Sequence, residues 1–384
     1  MGTGGQFQKR RMRALASLLL FSALPFSVFI STNKIVAQEK SASFEGIAAQ
    51  AAAARDANEA QRAIELFTQG LQLNAKWEEG WWSLGVLQYG AGAHAAATDA
   101  LTHLLELRPD AGEALALRGL CEFETGDYAK SLADIRKGRA LGAADDAEHE
   151  QILRYHEGML LTRLGRFSEA QKTYATFAEH KLSSPELLTA IGLAALRLPL
   201  VPKDVPAEQQ ALLTAAGDAT YKFMAGEQKA AQQAFEDLFA RFPKTRNAHY
   251  HYGNLLSAFS PEAAAPEFKK ELEVAPDNRE AMIALSWALL MQNRGEEALP
   301  YAKRIAAEKP ELGAAQLLVG RALADTGNIA AGIEHLERGI KLEPDNLELH
   351  IALAEAYSKS GRNEEARRER ALCVQMTRNG ATHP

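Results

Sequence analysis

Pro310 and Pro344 close two successive blocks of one design, 34 residues apart. The block Gly313–Asn346 reads GAAQLLVGRALADTGNIAAGIEHLERGIKLEPDN. Its first half carries Leu317, Val319, Gly320, Leu323 and Ala324 near the i, i+3, i+4, i+7 spacing of a buried helical face. Asp325-Thr326-Gly327-Asn328 breaks the pattern, and Gly327 suits the left-handed residue that ends a helix. Ile329, Ile333, Leu336 and Ile340 then resume it. Glu343-Pro344-Asp345-Asn346 stops the second helix, because proline cannot extend the hydrogen-bond ladder. Gly320 and Gly332 allow two backbones to approach closely. One such hairpin cannot bury its apolar faces alone, but stacked neighbours can. A fixed period of this length predicts an all-α solenoid of stacked hairpins.

The plan recurs along the chain. Units are expected at 44–77, 78–111, 112–145 and 151–184, with a polar insert at Ala143-Ala144-Asp145-Asp146 stretching the register. A fifth unit begins well at Ser184-Pro185-Glu186, with a capping serine and a proline in the first turn, and its first helix should reach about Arg197. Pro199, Pro202 and Pro206 then forbid a helix. A fresh helix is expected from near Pro206 toward Ala225, and units return at 212–245, 246–278, 279–312, 313–346 and 347–376. The expected organisation is therefore an array at 44–198, a proline-rich break at 199–206, an array at 207–376 and a frayed tail at 377–384. The break is either a tolerated loop insertion or a hinge.

Several residues recur at the same places in these units. They are Trp81, Leu84, Gly85, Ala97 and Pro109; Gly119, Gly126 and Tyr128; Gly158, Gly165, Phe167, Ala170 and Tyr174; Ala231, Phe235 and Pro243; Leu353, Ala354, Tyr357, Gly361 and Ala366. This pattern resembles the tetratricopeptide repeat family across most of residues 44–376. The resemblance implies a right-handed α-solenoid whose first helices line a concave groove, and a protein or extended peptide as partner. Carried over to matching positions, groove residues would be Trp82, Tyr89, Phe123, Tyr155, Met159, Arg163, Arg197, Phe223, Met224, Tyr250, Asn254, Trp287, Met291 and Arg321. Aromatics, Met and Arg are enriched at binding hot spots. The same residue types at helical spacing also fill cores between repeats. The family's clamp for a peptide C-terminus is not expected, because Tyr250 stands where a lysine belongs between Asn247 and Asn254.

The first 37 residues are of another kind. Lys9, Arg10, Arg11 and Arg13 precede an uncharged, mostly apolar run from Ala14 to Ile30, the layout of an export signal. Ala37 would suit a cleavage site but Ile35 does not. An uncleaved membrane anchor through 14–30 is the second reading, and a buried core helix the third. Either of the first two puts the repeats in the periplasm or on the outer side of the inner membrane. Arg10-Arg11 fits an ordinary basic n-region better than a twin-arginine signal, since no cofactor motif follows. Beyond residue 37 the chain holds 38 basic and 49 acidic residues, a net charge of −11. That acidity, with no basic stripe, argues against nucleic acid. Cys121 and Cys373 fall in distant units, beyond disulfide reach, and are expected to be buried apolar residues.

No motif for phosphate, dinucleotide, zinc or nucleophilic serine chemistry is present. His149-Glu150 and His156-Glu157 lie two helical turns apart, too far for one metal, and read as a solvated face. His249 and His251 alternate on one helix and do not converge. No cofactor is expected. The sequence points to a non-catalytic scaffold for an envelope protein or peptide. The alternative is an assembly or regulatory subunit of an envelope enzyme or secretion complex. An autonomous enzyme, or a ligand pocket at a bend near 198–206, has less to support it.

Overall fold

The structure, a computed structural model, describes residues 36–144 and 146–380. The export signal or anchor expected for 1–37, including the run 14–30, lies outside the described residues apart from Val36 and Ala37. The described residues form an all-α solenoid of helical hairpins, with no strand among them. Contacts divide the chain into two units. Unit 1 holds α1 (Val36–Asp56), α2 (Ala60–Leu73), α3 (Glu78–Gly90), α4 (His94–Leu107), α5 (Gly112–Thr125), α6 (Tyr128–Ala140), α7 (Ala147–Arg163), α8 (Phe167–Glu179) and almost all of α9 (Pro185–Ala195), together with residues 198–207. Unit 2 holds α10 (Gln210–Met224), α11 (Gln228–Arg241), α12 (Ala248–Ser257), α13 (Pro261–Val274), α14 (Arg279–Met291), α15 (Gly295–Glu308), α16 (Gly313–Asp325), α17 (Ile329–Leu342), α18 (Leu347–Lys359) and α19 (Asn363–Gly380), with residues 195–197.

Within each unit, consecutive helices pair as hairpins and each hairpin packs on the next. First helices also meet first helices, α3 with α5 and α5 with α7 in unit 1, and α12, α14, α16 and α18 in sequence in unit 2. They therefore share one face.

The close approach inside each hairpin has a specific cause. A Cβ added to Gly85 would lie 2.8 Å from the Leu101 side chain; at Gly119, 2.8 Å from Ile135; at Gly158, 2.3 Å from Tyr174; at Gly253, 2.6 Å from Phe268; at Gly320, 2.6 Å from Leu336. The partner stands sixteen residues on, or fifteen for Phe268. Where the first helix carries Ala51 or Ala219, Phe67 and Phe235 stand at the same offset, and all four are buried. Ser286 and Ala302 stand at that offset too, a larger residue on the first helix with a smaller one on the second, and both are fully buried. Gly332 adds a second contact, since its Cβ would lie 2.7 Å from the Gly320 carbonyl oxygen.

Hairpin turns use left-handed glycines, among them Gly126 at φ 89° and Gly327 at φ 86°. Two helix starts in unit 2 are satisfied from the second helix of the hairpin. The fully buried Glu271 accepts the backbone N–H groups of Asn247 (2.7 Å) and Tyr250 (3.2 Å), and the Asn278 amide (2.9 Å). Glu343 does the same for the N–H of Gly313 at 2.9 Å. A buried carboxylate at a helix N-terminus answers orphan donors and the dipole together.

Several details differ from the expected boundaries. Residues 38–43 continue α1 rather than form a lead-in, and α19 runs to Gly380 through residues expected to fray. The polar insert ends in Asp146, whose carboxylate caps α7 by accepting from Glu148 and His149 N–H, each at 2.9 Å, so α7 begins at Ala147. α9 stops at Ala195, and Arg197 lies beyond it in the left-handed region at φ 57°. The fifth hairpin lacks a second α-helix, and its place is taken by short 3-10 turns at Pro202–Asp204 and Ala207–Gln209. Pro266 and Pro300 sit inside α13 and α15, two exceptions to the rule that prolines fall between helices.

Gly158→Ala should cost about 1–3 kcal/mol, because the Tyr174 ring occupies the space of the new methyl. Gly46→Ala, where nothing lies within 4 Å, should instead gain up to about 1 kcal/mol from helix propensity. Thermal melts followed by circular dichroism check both.

Candidate functional site

On the shared face of unit 1, three consecutive first helices enclose a cavity of about 290 Å³. Trp82, Val86 and Tyr89 come from α3, Leu117 and Leu120 from α5, His149, Ile152 and Leu153 from α7. Spacings of three and four put each set on one helical stripe. The lining is mostly apolar, with Glu113, Asn58 and His149 as its polar groups. His149 Nδ1 meets the Asp146 carboxylate, and its Nε2 is buried with no hydrogen-bond partner. The cavity thus offers aromatic and aliphatic walls, the composition of a pocket for a large apolar or aromatic side chain.

The remaining groove candidates of unit 1 lie beside it. Tyr155 lines a second cavity of about 330 Å³ with Ile152, Phe177 and Leu187. Phe123 is 4% exposed and meets His156 edge-on at 5.1 Å and Tyr128 at 5.9 Å. Arg163 stacks over Tyr128 at 5.1 Å. Met159 is 5% exposed and belongs to the packed interior. In unit 2, Arg197 lies over Tyr250 at 5.7 Å and pairs with Glu280 at 3.4 Å. Arg321 lies over Trp287 at 5.3 Å. Phe223 meets Phe259 edge-on at 5.8 Å. Met224 is half-buried, and Asn254 and Met291 are exposed, Met291 at 61%. The candidates therefore form one cluster around the unit 1 cavity and cation-on-ring pairs in unit 2, not one continuous set. Asn247 is committed to the fold, its amide donating to the Leu196 carbonyl (3.0 Å) and its oxygen accepting from Asn278 (3.0 Å).

The solvated face expected for His149-Glu150 and His156-Glu157 is a correction. His156 is 5% and Glu157 6% exposed, because His156 packs on Phe123 of α5 and Glu157 on the arginines of α6. Glu157 accepts from Arg136 (2.7 Å) and Arg139 (2.5 Å), and Glu150 from Arg139 (2.6 Å) and Arg154. Buried charge survives there because every carboxylate has guanidinium partners. His249 and His251 point apart as expected. His249 stacks on Phe239 at 3.8 Å and meets Glu267 at 2.7 Å; His251 meets Thr220 at 3.0 Å, and burial pushes its pKa down to about 4. Among the described residues no group of three or more His, Cys, Asp or Glu is placed to hold a metal. Cys121 is buried as expected, with burial pushing its thiol up to about 12. Cys373 is half-exposed instead, beside Ile351 and Val374 on the last hairpin, where no further repeat covers it among the described residues. Sequence reasoning missed His149 as a cavity residue, and no signal at the level of spacing could have shown its unmatched nitrogen.

Next to Phe123, Glu122 is 6% exposed and its Oε2 has no partner. Burial, reinforced by Asp134, raises its carboxyl from 4.5 to about 7. Between those values the folded chain binds more protons than the unfolded one, so this group's contribution to stability falls as pH rises from about 4.5 to 7. Glu122→Gln should therefore stabilise the protein at pH 8, by at most about 3 kcal/mol, and change little at pH 4. Denaturant unfolding at the two pH values checks the sign.

The tetratricopeptide repeat profiles match residues 88–147, 155–220 and 260–312, and a further one matches 323–369. Cellulose synthase operon protein C of Xanthomonas axonopodis pv. citri (strain 306) is 26% identical over 239 residues, which are 55% of this chain and 16% of that protein. Among solved structures, MamA of Desulfovibrio magneticus RS-1 aligns at a TM-score of 0.40 and 18% identity, over 44% of this chain and 96% of its own. YrrB, described as a TPR protein with an unusual peptide-binding site, aligns at 0.38 and 17%, over 44% of this chain and 92% of its own. Among the described residues no helix is long and apolar enough to cross a membrane. With family profiles spread over more than half of its length and hairpins of the matching kind, this chain belongs to the tetratricopeptide repeat family.

Proposed function

We propose that the protein is a non-catalytic binding scaffold of the cell envelope that takes an extended segment of a partner protein along the face of its first helices. The observation that carries this reading is the unit 1 cavity, where Trp82, Tyr89 and His149 from α3 and α7 converge on one space. A buried aromatic anchor with a polar contact is how interfaces concentrate their binding energy. The cation-on-ring pairs Arg197–Tyr250 and Trp287–Arg321 would give unit 2 a patch of its own. Envelope residence rests on the basic cluster and apolar run of residues 9–30.

A second reading, an assembly or regulatory subunit of an envelope enzyme or secretion complex, draws on the partial likeness to cellulose synthase operon protein C. The two readings differ in what is captured and by which surface. A photo-crosslinking residue at position 89, activated in cells, should trap a discrete partner. Trp82→Ala should reduce that product at least about tenfold, the loss expected of a hot-spot tryptophan, with helicity unchanged. Crosslinking that ignores Trp82→Ala would contradict the groove. Capture of an enzyme through positions away from the groove would favour the second reading.

A further inference from the structure

The proline-rich segment after α9 is not a free loop. Residues 198–207 group with unit 1, and Val201 is fully buried. Two residues on, Lys203 Nζ lies 3.0 Å from Glu124 Oε2 and 5.3 Å from the centroid of the Phe123 ring. Phe123 and Glu124 extend the stripe of α5 that walls the cavity, three and four residues beyond Leu120. His156, which meets Phe123, likewise extends the α7 stripe three residues beyond Leu153. The lysine thus sits at the end of the two stripes that enclose the cavity, held between an aromatic ring and a carboxylate. Three prolines keep its backbone out of an α-helix and restrict it before it binds.

We propose that residues 198–207 are a tethered occupant of the unit 1 face beside the cavity, at the end of the α5 stripe, and that the partner is a proline-spaced segment bearing a lysine which displaces them. The proposal rests on the groove reading above and names the chemistry of its ligand. The polar half of the latch is light, and the buried Val201 supplies most of its hold. Lys203 is 47% and Glu124 35% exposed, and ion pairs this exposed hold little. The tether compensates, since a short linker supplies an effective concentration of the order of millimolar. An outside peptide therefore binds with its affinity reduced by the fraction of molecules already open.

The test uses the full chain and an acetylated peptide of residues 198–207. Binding is measured by calorimetry, and opening by hydrogen exchange at the Asp204 amide, which donates to the Val201 carbonyl at 2.9 Å. The Val201→Ser/Lys203→Glu variant should exchange faster there and bind the peptide about tenfold more tightly than the native chain. A peptide carrying Glu in place of the lysine should bind neither. The charge swap Lys203→Glu with Glu124→Lys should restore slow exchange, which separates a released latch from a misfolded one. Equal peptide affinity in the native and released chains would overturn the proposal, as would exchange that ignores the swap. Trp82→Ala should leave exchange at Asp204 unchanged, so failure of the cavity and failure of the latch read out separately.

Discussion

The structure depends on a size match at one point in most of its hairpins. The first helix presents a residue without bulk, and the second places a side chain onto it about sixteen positions later. Gly158 under Tyr174 and Gly253 under Phe268 show the extreme, where even a methyl group has no room. Ser286 over Ala302 shows the trade reversed. Interiors are close-packed, so volume gained on one helix must be surrendered on the other. This contact sets how near the two helices lie, and repetition of it lets first helices meet first helices along one face of each unit.

Polar groups are handled with the same economy. Glu271 and Glu343 arise near the ends of second helices and reach back to the starts of first helices. The backbone amides freed at these two starts thus find partners inside the same hairpin. On α7 the solution is different. Its charged side is turned inward against α6, and the Glu150–Glu157–arginine network satisfies it. The other side of α7 contributes Ile152, Leu153 and His149 to the cavity.

The hairpins were legible because their signal is a period, carried by many weak residues at once. The left-handed turn at Gly327 and the close pair Gly320 and Gly332 could be read from type and place alone. Which side of α7 is wet could not, since Glu157 looks solvated until α6 supplies arginines, and His156 until α5 supplies Phe123. Cys373 failed for the opposite reason: its place within a repeat implied a neighbour, and the last hairpin has none among the described residues. Lys203 was invisible as a site because it falls in the stretch where the period is lost and its partners Phe123 and Glu124 lie about eighty residues earlier. Local pattern reports helices well and reports long-range polar contacts poorly.

The cavity and the seat for Lys203 both lie on first helices whose spacing the small residues set, so the binding face inherits its shape from the hairpin crossing. A double-mutant cycle at Gly85 and Leu101 addresses that crossing directly, because the space for a Cβ at Gly85 is filled by the Leu101 side chain. Gly85→Ala and Leu101→Ala are made singly and together, and unfolding free energies are measured in denaturant. The account predicts that Leu101→Ala is less harmful in the Gly85→Ala background than alone, with a coupling of about 1 kcal/mol or more. Additive losses, with no coupling between the two positions, would contradict it.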